Sequence, residues 1–407
     1  MRNEGSTSAG VGDDRRNVLL GMLSAVSFLI FFQAYMVAPI IPTLASDLHA
    51  PVDRIALVIP AYLIPYGIGT LIYGVLGDRL GIHRVMFFSL AAFTALAFQT
   101  ASSTSVEDMI GWRIVTGLGA SGAVPLSVAL VGRLYPYEQR GRALGWLFGA
   151  MAGGMALGSP LGAMLIPLTG WRGLFMAVGA SGLIALLLLG RYRRYLGSAV
   201  EPTGASLSGV LQGYLYLLAD TRARRAYAYV FLNSMFHSGV FAWLGVFIGQ
   251  RYHVGPAVIG SALLGYGIPG TVLGPLIGRA ADKYGRAALI PAGLAIGSAA
   301  VAALLLCMPL LAVPLLATAL SLGYDMTQPL FAGIVTSFSG KRPGQAMGFN
   351  VFSLFIGAGV GSLVFGVLER HGFTLAFGAF AIVEVALALF ALRVFRKEGR
   401  RAMLRRN

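Results

Sequence analysis

Gly74-Val75-Leu76-Gly77-Asp78-Arg79-Leu80-Gly81, with Arg84 three residues on, and Gly278-Arg279-Ala280-Ala281-Asp282-Lys283-Tyr284-Gly285, with Arg286 next, are two copies of one loop in a chain of 407 residues. From residue 78 to residue 282 is 204 positions, half the chain. Each copy lies between two apolar stretches long enough to cross a bilayer. A polar hinge punctuated by glycines, which permit tight turns and close helix approach, recurs at half-length. That recurrence predicts two similar helical bundles joined head to tail.

Hydrophobic residues make up 57% of the sequence and charged residues 12%, with a mean hydropathy of +0.75. A soluble domain carries about 25% charged residues, so this chain spans a membrane many times. About 20 apolar residues cross a bilayer as a helix. Twelve such segments are predicted, near 18–45, 53–77, 83–101, 106–133, 139–168, 171–190, 225–250, 257–278, 286–307, 309–338, 345–368 and 372–395. They are long apolar runs, unlike the alternating ten-residue strands of a barrel, and the predicted fold class is an all-α membrane protein.

The formal net charge of +15 would suit nucleic acid, but the placement of the cations argues against that partner. Of 31 Lys and Arg residues, only Arg54, Arg113, Arg172, Arg251 and Arg370 lie outside the two tails and every second loop. The other 26 are kept to one side, a positive-inside bias that predicts both termini in the cytoplasm and the protein in the cytoplasmic (inner) membrane. The C-terminal cluster from Arg396 to Arg406 reads first as a topology determinant and second as a contact for anionic lipid. Cys307 is the lone cysteine, so no disulfide framework or cysteine metal site is expected. The first apolar segment is too long for a signal peptide and is expected to remain as the first helix. No P-loop is present, so ATP is not the expected energy source.

The predicted order is a cytoplasmic tail (1–17), a six-helix bundle (18–190), a cytoplasmic linker (191–224), a second six-helix bundle (225–395) and a basic cytoplasmic tail (396–407). Within the linker, Leu207 to Ala219 reads as a short amphipathic helix on the membrane face. A second echo supports the duplication: Gly141 near the start of the fifth segment and Gly344 near the start of the eleventh stand 203 positions apart. With six helices per half and both termini on one side, the bundles are related by a pseudo-two-fold axis along the membrane normal. A small-molecule site is then expected between them.

These loops resemble the signature of the major facilitator superfamily between its second and third helices, and the echo of that signature between the eighth and ninth. The likeness covers essentially the whole chain. It implies that Gly74, Asp78, Arg79, Gly81 and Arg84, with Gly278, Asp282, Lys283, Gly285 and Arg286, latch the halves in one access state. The plainer reading, a polar turn held by basic residues, explains the cations but not the repeated Gly-Asp spacing. In the fourth segment, Arg113 followed by Gly117, Gly119 and Gly122 resembles the family's helix-4 motif. Intramembrane charge usually marks a pathway, so Arg113 is expected to face the cavity; snorkelling outwards past Glu107 and Asp108 is the competing reading. In the fifth segment, Gly145, Gly154, Gly158, Pro160 and Gly162 are similar to the motif of the twelve-helix drug/proton antiporter branch. Here Ser159 stands where that motif has proline, and Ala163 replaces its last glycine. Generic small-residue packing is the alternative.

Beyond Arg113, the charges inside the spans are Asp325 in the tenth segment and Glu384 in the twelfth, both near mid-bilayer at about 1.5 Å rise per residue. An ionised carboxylate is costly there, as a group that takes up and releases protons requires. Asp325, Glu384 and His237 are therefore the proton-coupling candidates. The resemblance implies that helices 1, 4, 7 and 10 line the cavity and 3, 6, 9 and 12 lie outside, which favours Asp325 over Glu384. His237 as a neutral, hydrogen-bonded core histidine is an equal alternative. Gln33, Tyr35, Asn233 and Phe236, with Arg113, are the candidate cavity residues, suited to an amphipathic compound. Many antiporters of this kind carry an acid midway along the first helix; Gln33 holds that depth here and cannot carry a proton.

The function implied is secondary transport by alternating access, with proton-coupled efflux of lipophilic or cationic compounds ahead of a facilitator or symporter for a small metabolite. The expected partners are a small-molecule substrate, protons and the lipid bilayer. No cofactor, metal or enzymatic activity is expected, and nothing demands more than a monomer.

Overall fold

A computed structural model describes residues 5–135, 137–198, 207–269, 273, 276–277, 280, 283–306, 308–338 and 343–396. Ten helices among them are long and apolar enough to cross a membrane. They are Arg15–Asp47 (α1), Val52–Gly77 (α2), Ile82–Ala101 (α3), Val106–Val131 (α4), Ala143–Gly190, Thr221–Tyr252 (α7), Arg286–Leu304 (α9), Leu310–Val335 (α10), Gln345–Glu369 (α11) and Phe373–Val394 (α12). The run Ala143–Gly190 is two spans: Gly170, at φ 65° and ψ 169°, breaks it into α5 (143–169) and α6 (171–190). A shorter apolar helix, Pro256–Gly267 (α8), completes twelve. A further helix runs over Leu207–Ala219, where the sequence predicts one.

Apolar length alone makes these segments helical, because in lipid every backbone N–H and C=O must find a partner within its own segment. Side-chain caps fix some of the starts. The Asp108 backbone N–H donates to Ser105 Oγ at 3.1 Å to open α4, and the Arg222 N–H donates to Asp220 Oδ1 at 2.7 Å to open α7.

The duplication is written in the backbone as well as in the sequence. Gly81 and Gly285, 204 positions apart, begin α3 and α9 with φ of 95° and 79°. Both angles lie in the region that only glycine enters without strain, which is why the loop ends on glycine in both halves. His49 and His253, also 204 positions apart, both adopt left-handed φ, at 50° and 53°. Gly170 and Gly372 repeat the same device at 202 positions.

Large apolar side chains are exposed on the outer helices, where lipid meets them: Phe88 on α3 is 66% exposed and Ile382 on α12 is 71% exposed. By contrast α7 is almost wholly enclosed, burying Phe236, Phe241 and Trp243. Among the described residues, contacts between the two bundles run from mid-height to the end opposite the chain termini. There Gly260 of α8 lies against the Pro160 carbonyl and Ala163 of α5, and Gly267 lies against Ala156. Gly245 of α7 abuts Pro39 of α1, and Gly67 of α2 abuts Phe355 of α11. At the far rim Arg370 Nη2 reaches Asp53 Oδ2 at 2.9 Å; both side chains are solvent-accessible, so the pair contributes about 0–1 kcal/mol.

On its other face α5 packs against α1 through Gly154, Gly158 and Gly162. A methyl group at these positions would strike the carbonyl oxygens of Phe28, Phe32 and Met36, the last two at 2.8 Å. Gly154→Leu is therefore expected to lower stability by about 2 kcal/mol or more. Gly378→Ala on α12, where a Cβ meets nothing within 4 Å, is expected to leave it unchanged or slightly raised. Thermal unfolding in detergent, followed by tryptophan fluorescence, checks both.

Candidate functional site

Asp325 lies half-buried on α10 at mid-height. Its Oδ2 accepts a hydrogen bond from Ser321 Oγ at 2.9 Å, one helical turn earlier. The carboxylate acts electrostatically on the hydroxyls of Tyr35, Tyr266 and Tyr324. Tyr35 comes from α1, Tyr266 from α8 and Tyr324 from α10, so the cluster straddles both bundles. Aromatic rings extend it: Tyr35 lies 6.2 Å from Phe241, and Phe241 lies 3.9 Å from Tyr266, centroid to centroid. Nearby, Phe355 of α11 joins Phe31 of α1 at 5.9 Å and Tyr66 of α2 at 4.4 Å. Gln33 on α1 is fully buried, and neither of its amide atoms has a hydrogen-bond partner. The result is a carboxylate and hydroxyls inside an aromatic shell, an arrangement that can hold a cation with an apolar body.

The other candidates of the second bundle turn inwards. Asn233 Nδ2 donates to Thr327 Oγ1 at 2.9 Å, tying α7 to α10 inside the bundle. Phe236 packs edge-on against His237 at 5.1 Å and stacks near Phe380 of α12. His237 is enclosed beside Gly297 of α9, its ring 4.9 Å from that of Tyr324, and neither ring nitrogen has a hydrogen-bond partner. Glu384 is wholly buried among α7, α9 and α12, acts electrostatically on Tyr229 and accepts no hydrogen bond.

Arg113, expected from the sequence to face the cavity, is completely enclosed in the structure. Its Nε donates to the Val58 carbonyl at 3.2 Å, and its guanidinium lies 4.1 Å over the Tyr62 ring. Both contacts are to α2, within the first bundle, and neither Nη atom has a partner. Gly117, one turn on, rests on the Tyr62 carbonyl, so the small residue after the arginine brings α2 close enough to cover it.

Two departures in α5 acquire a reason. Ser159 Oγ donates to the Tyr35 carbonyl at 2.7 Å, a bond proline cannot make. Ala163 supplies the methyl group that touches Gly260 of α8.

A family model described as Major Facilitator Superfamily matches residues 23–255 and 226–405. The chain belongs to the major facilitator superfamily. It is 26% identical to an uncharacterized MFS-type transporter, YceJ, of Bacillus subtilis (strain 168) across 93% of this chain and 96% of that protein. It is 22% identical to Multidrug resistance protein 1 of the same organism, across 92% and 96%. Among solved structures it resembles a bacterial homolog of the human lysosomal transporter Spinster, in an inward-facing and unoccupied conformation. That likeness has a TM-score of 0.73 at 15% identity and covers 94% of this chain and 98% of that one. The protein is thus a membrane transporter of this superfamily, with a small-molecule substrate.

Of the superfamily's loop residues, Gly278 and Asp282 and the side chain of Asp78 lie outside the described residues. Arg79, Arg84 and Lys283 are exposed at the end where the chain begins and ends, and Arg286 lies over Gly333 of α10. No group of three metal-ligating side chains occurs among the described residues. Sequence reasoning missed Tyr266, Tyr324 and Ser321. A signal for two of them was present: Ser321 and the stretch Tyr324-Asp325-Met326-Thr327-Gln328, polar but for Met326, interrupt an otherwise apolar helix.

Arg113 is held by a directional N–H and by the flat face of its guanidinium, neither of which lysine reproduces. Arg113→Lys is expected to cost about 2 kcal/mol in thermal unfolding. Tyr62→Phe keeps the ring and is expected to cost less than about 1 kcal/mol. Equal losses in the two variants would place the stabilisation elsewhere than in the guanidinium–ring contact.

Proposed function

We propose that the protein is a secondary active transporter that exports small lipophilic or cationic compounds in exchange for protons, by alternating access. One observation supports this reading: Asp325 acts electrostatically on Tyr35 of the first bundle and on Tyr266 and Tyr324 of the second. A cation with an apolar body and a proton would compete for that one carboxylate, which is the condition for exchange. The contacts between bundles among the described residues lie away from the termini, and with both termini cytoplasmic this reading has the site load from the cytoplasm, as an exporter does. The likeness to Multidrug resistance protein 1 along nearly the whole chain supports the same direction.

A second reading, a facilitator or symporter for a small metabolite, is favoured by Gln33, which takes the depth where an acid would stand in the first helix. Purified protein in liposomes under an imposed pH gradient, offered tetraphenylphosphonium and a panel of neutral metabolites, separates the two. Gradient-driven accumulation of the cation is expected. Asp325→Asn should lose it by about tenfold or more, and Asp325→Glu should keep most of it. Metabolite uptake indifferent to collapse of the gradient would favour the facilitator, and equal coupling in wild type and Asp325→Asn would remove Asp325 from the mechanism.

A further inference from the structure

At the end opposite the chain termini a cavity of about 500 Å³ lies between the bundles, and it shares no lining residue with the Asp325 cluster. One wall belongs to the first bundle: the last turns of α1, with Val52 of α2. The other belongs to the second: the last turns of α7, the start of α8 and Val254 between them. Gly245, one turn before Gly249 of the second wall, is pressed on Pro39 of the first. The cavity is therefore seated on a point where the bundles touch.

Its apolar surface is aliphatic, from Pro39, Pro42, Val246, Val254, Pro256 and Ile259, and no aromatic side chain is among the described residues that line it. The prolines carry part of that surface on backbone of fixed φ. The polar side chains are Thr43, Ser46, Gln250 and one carboxylate, Asp47. Asp47 is exposed, and Trp171 Nε1 of α6 donates to its Oδ2 at 3.0 Å, which orients the side chain. Its Oδ1 accepts no hydrogen bond and Asp47 makes no ion pair among the described residues. The neighbouring rim acid Asp53, by contrast, is paired with Arg370 of the other bundle. Arg172 lies 4.2 Å over the Trp171 ring but donates to the Ser103 carbonyl, and Arg54 and Arg251, at the same end, do not line the cavity. One oriented carboxylate thus borders an aliphatic cavity with no cation beside it.

We propose that this cavity binds a compact aliphatic ammonium ion, with Asp47 against the charge and the proline and valine surface against the apolar body. The oxygens of Thr43, Ser46 and Gln250 add neutral acceptors around the cation. Without a ring in its wall the site has no cation–π contact to offer, which distinguishes it from the aromatic shell around Asp325. The volume falls within the roughly 300–1,000 Å³ of small-molecule pockets. Because the walls belong to different bundles, a bound ion favours the arrangement in which they stand together and opposes opening at this end. Occupancy therefore slows transport without competing at Asp325. That consequence rests on the transport reading; the binding itself does not.

The probe is trimethyl(1-adamantyl)ammonium, a permanently charged aliphatic cation. Equilibrium dialysis against the full chain in lipid nanodiscs is expected to show saturable binding, one probe per protein, that tetraphenylphosphonium does not displace. Asp47→Asn keeps an acceptor for Trp171 while removing the charge, and should weaken binding by about tenfold or more. Gly249→Leu narrows the cavity from the opposite wall. Its Cβ meets Ile259 Cδ1 at 3.4 Å, an ordinary contact, so the variant should fold and bind at least about tenfold more weakly. Asp53→Asn breaks the rim ion pair outside the cavity and should keep the affinity within about threefold. Absence of saturable binding in wild type, unchanged affinity in folded Asp47→Asn or Gly249→Leu, equal losses in Asp47→Asn and Asp53→Asn, or displacement by tetraphenylphosphonium overturns the proposal. In liposomes the probe should lower the maximal rate of tetraphenylphosphonium uptake at unchanged KM, and Asp47→Asn should lose that inhibition. Full-rate uptake at saturating probe overturns the closure of this end. A wild type that binds the probe yet carries no tetraphenylphosphonium overturns the transport reading alone, so the two fail separately.

Discussion

The close approach of α5 to the backbones of α1 and α8 is the contact on which the remaining geometry depends. In lipid no hydrophobic gain drives one helix onto another, so association rests on packing distance and on polar bonds between helices. Gly158 and Gly162 place α5 against carbonyl oxygens of α1, and Ser159 adds a hydrogen bond from its hydroxyl to the Tyr35 carbonyl. On the opposite face Pro160 and Ala163 receive Gly260 of α8. One helix thus fixes the height of Tyr35 in the first bundle and of α8, which carries Tyr266, in the second. Both tyrosines act on Asp325, so the central cluster inherits its spacing from a stripe of small residues that touches it only at the backbone and Cβ of Tyr35.

Most of the fold is legible in the amino-acid sequence, for a physical reason. Hydrophobic length fixes a membrane helix with little help from tertiary context, and a duplicated loop fixes the symmetry. Gly81 and Gly285 show how local that information is, because a backbone that requires positive φ can be met in the sequence by glycine. His49 and His253 adopt the same kind of φ without glycine, and no sequence pattern discloses them. The division of the run Ala143–Gly190 at Gly170 falls between the predicted segments 139–168 and 171–190.

The site is less legible, because an apolar helix buried on several sides carries no periodic mark of which face meets which neighbour. Asp325 stands out as a lone acid in a span. Tyr266 does not, since tyrosine is common in membrane helices and its proximity to Asp325 arises only when α8 is placed against α10. Arg113 shows the same limit from the other side. Its depth argues for a pathway, but Gly117 lets α2 close over it and the Tyr62 ring shields it, a contact between helices that spacing within α4 cannot encode.

The backbone repeats across the two halves while the chemistry does not. Arg113 on Val58 and Tyr62, and Asn233 on Thr327, are ties within a single bundle. They keep their geometry when one bundle rotates against the other. Tyr35 and Asp325, or Phe31 and Phe355, belong to different bundles and must change their separation in any such motion. Enclosed polar pairs of the first kind therefore make each bundle rigid enough to move as a body. The straddling cluster is where such a movement would change the surroundings of the carboxylate. A transporter needs both kinds of contact, and in this chain they fall on different residues of the same helices: Asn233 and Phe241 on α7, Thr327 and Asp325 on α10.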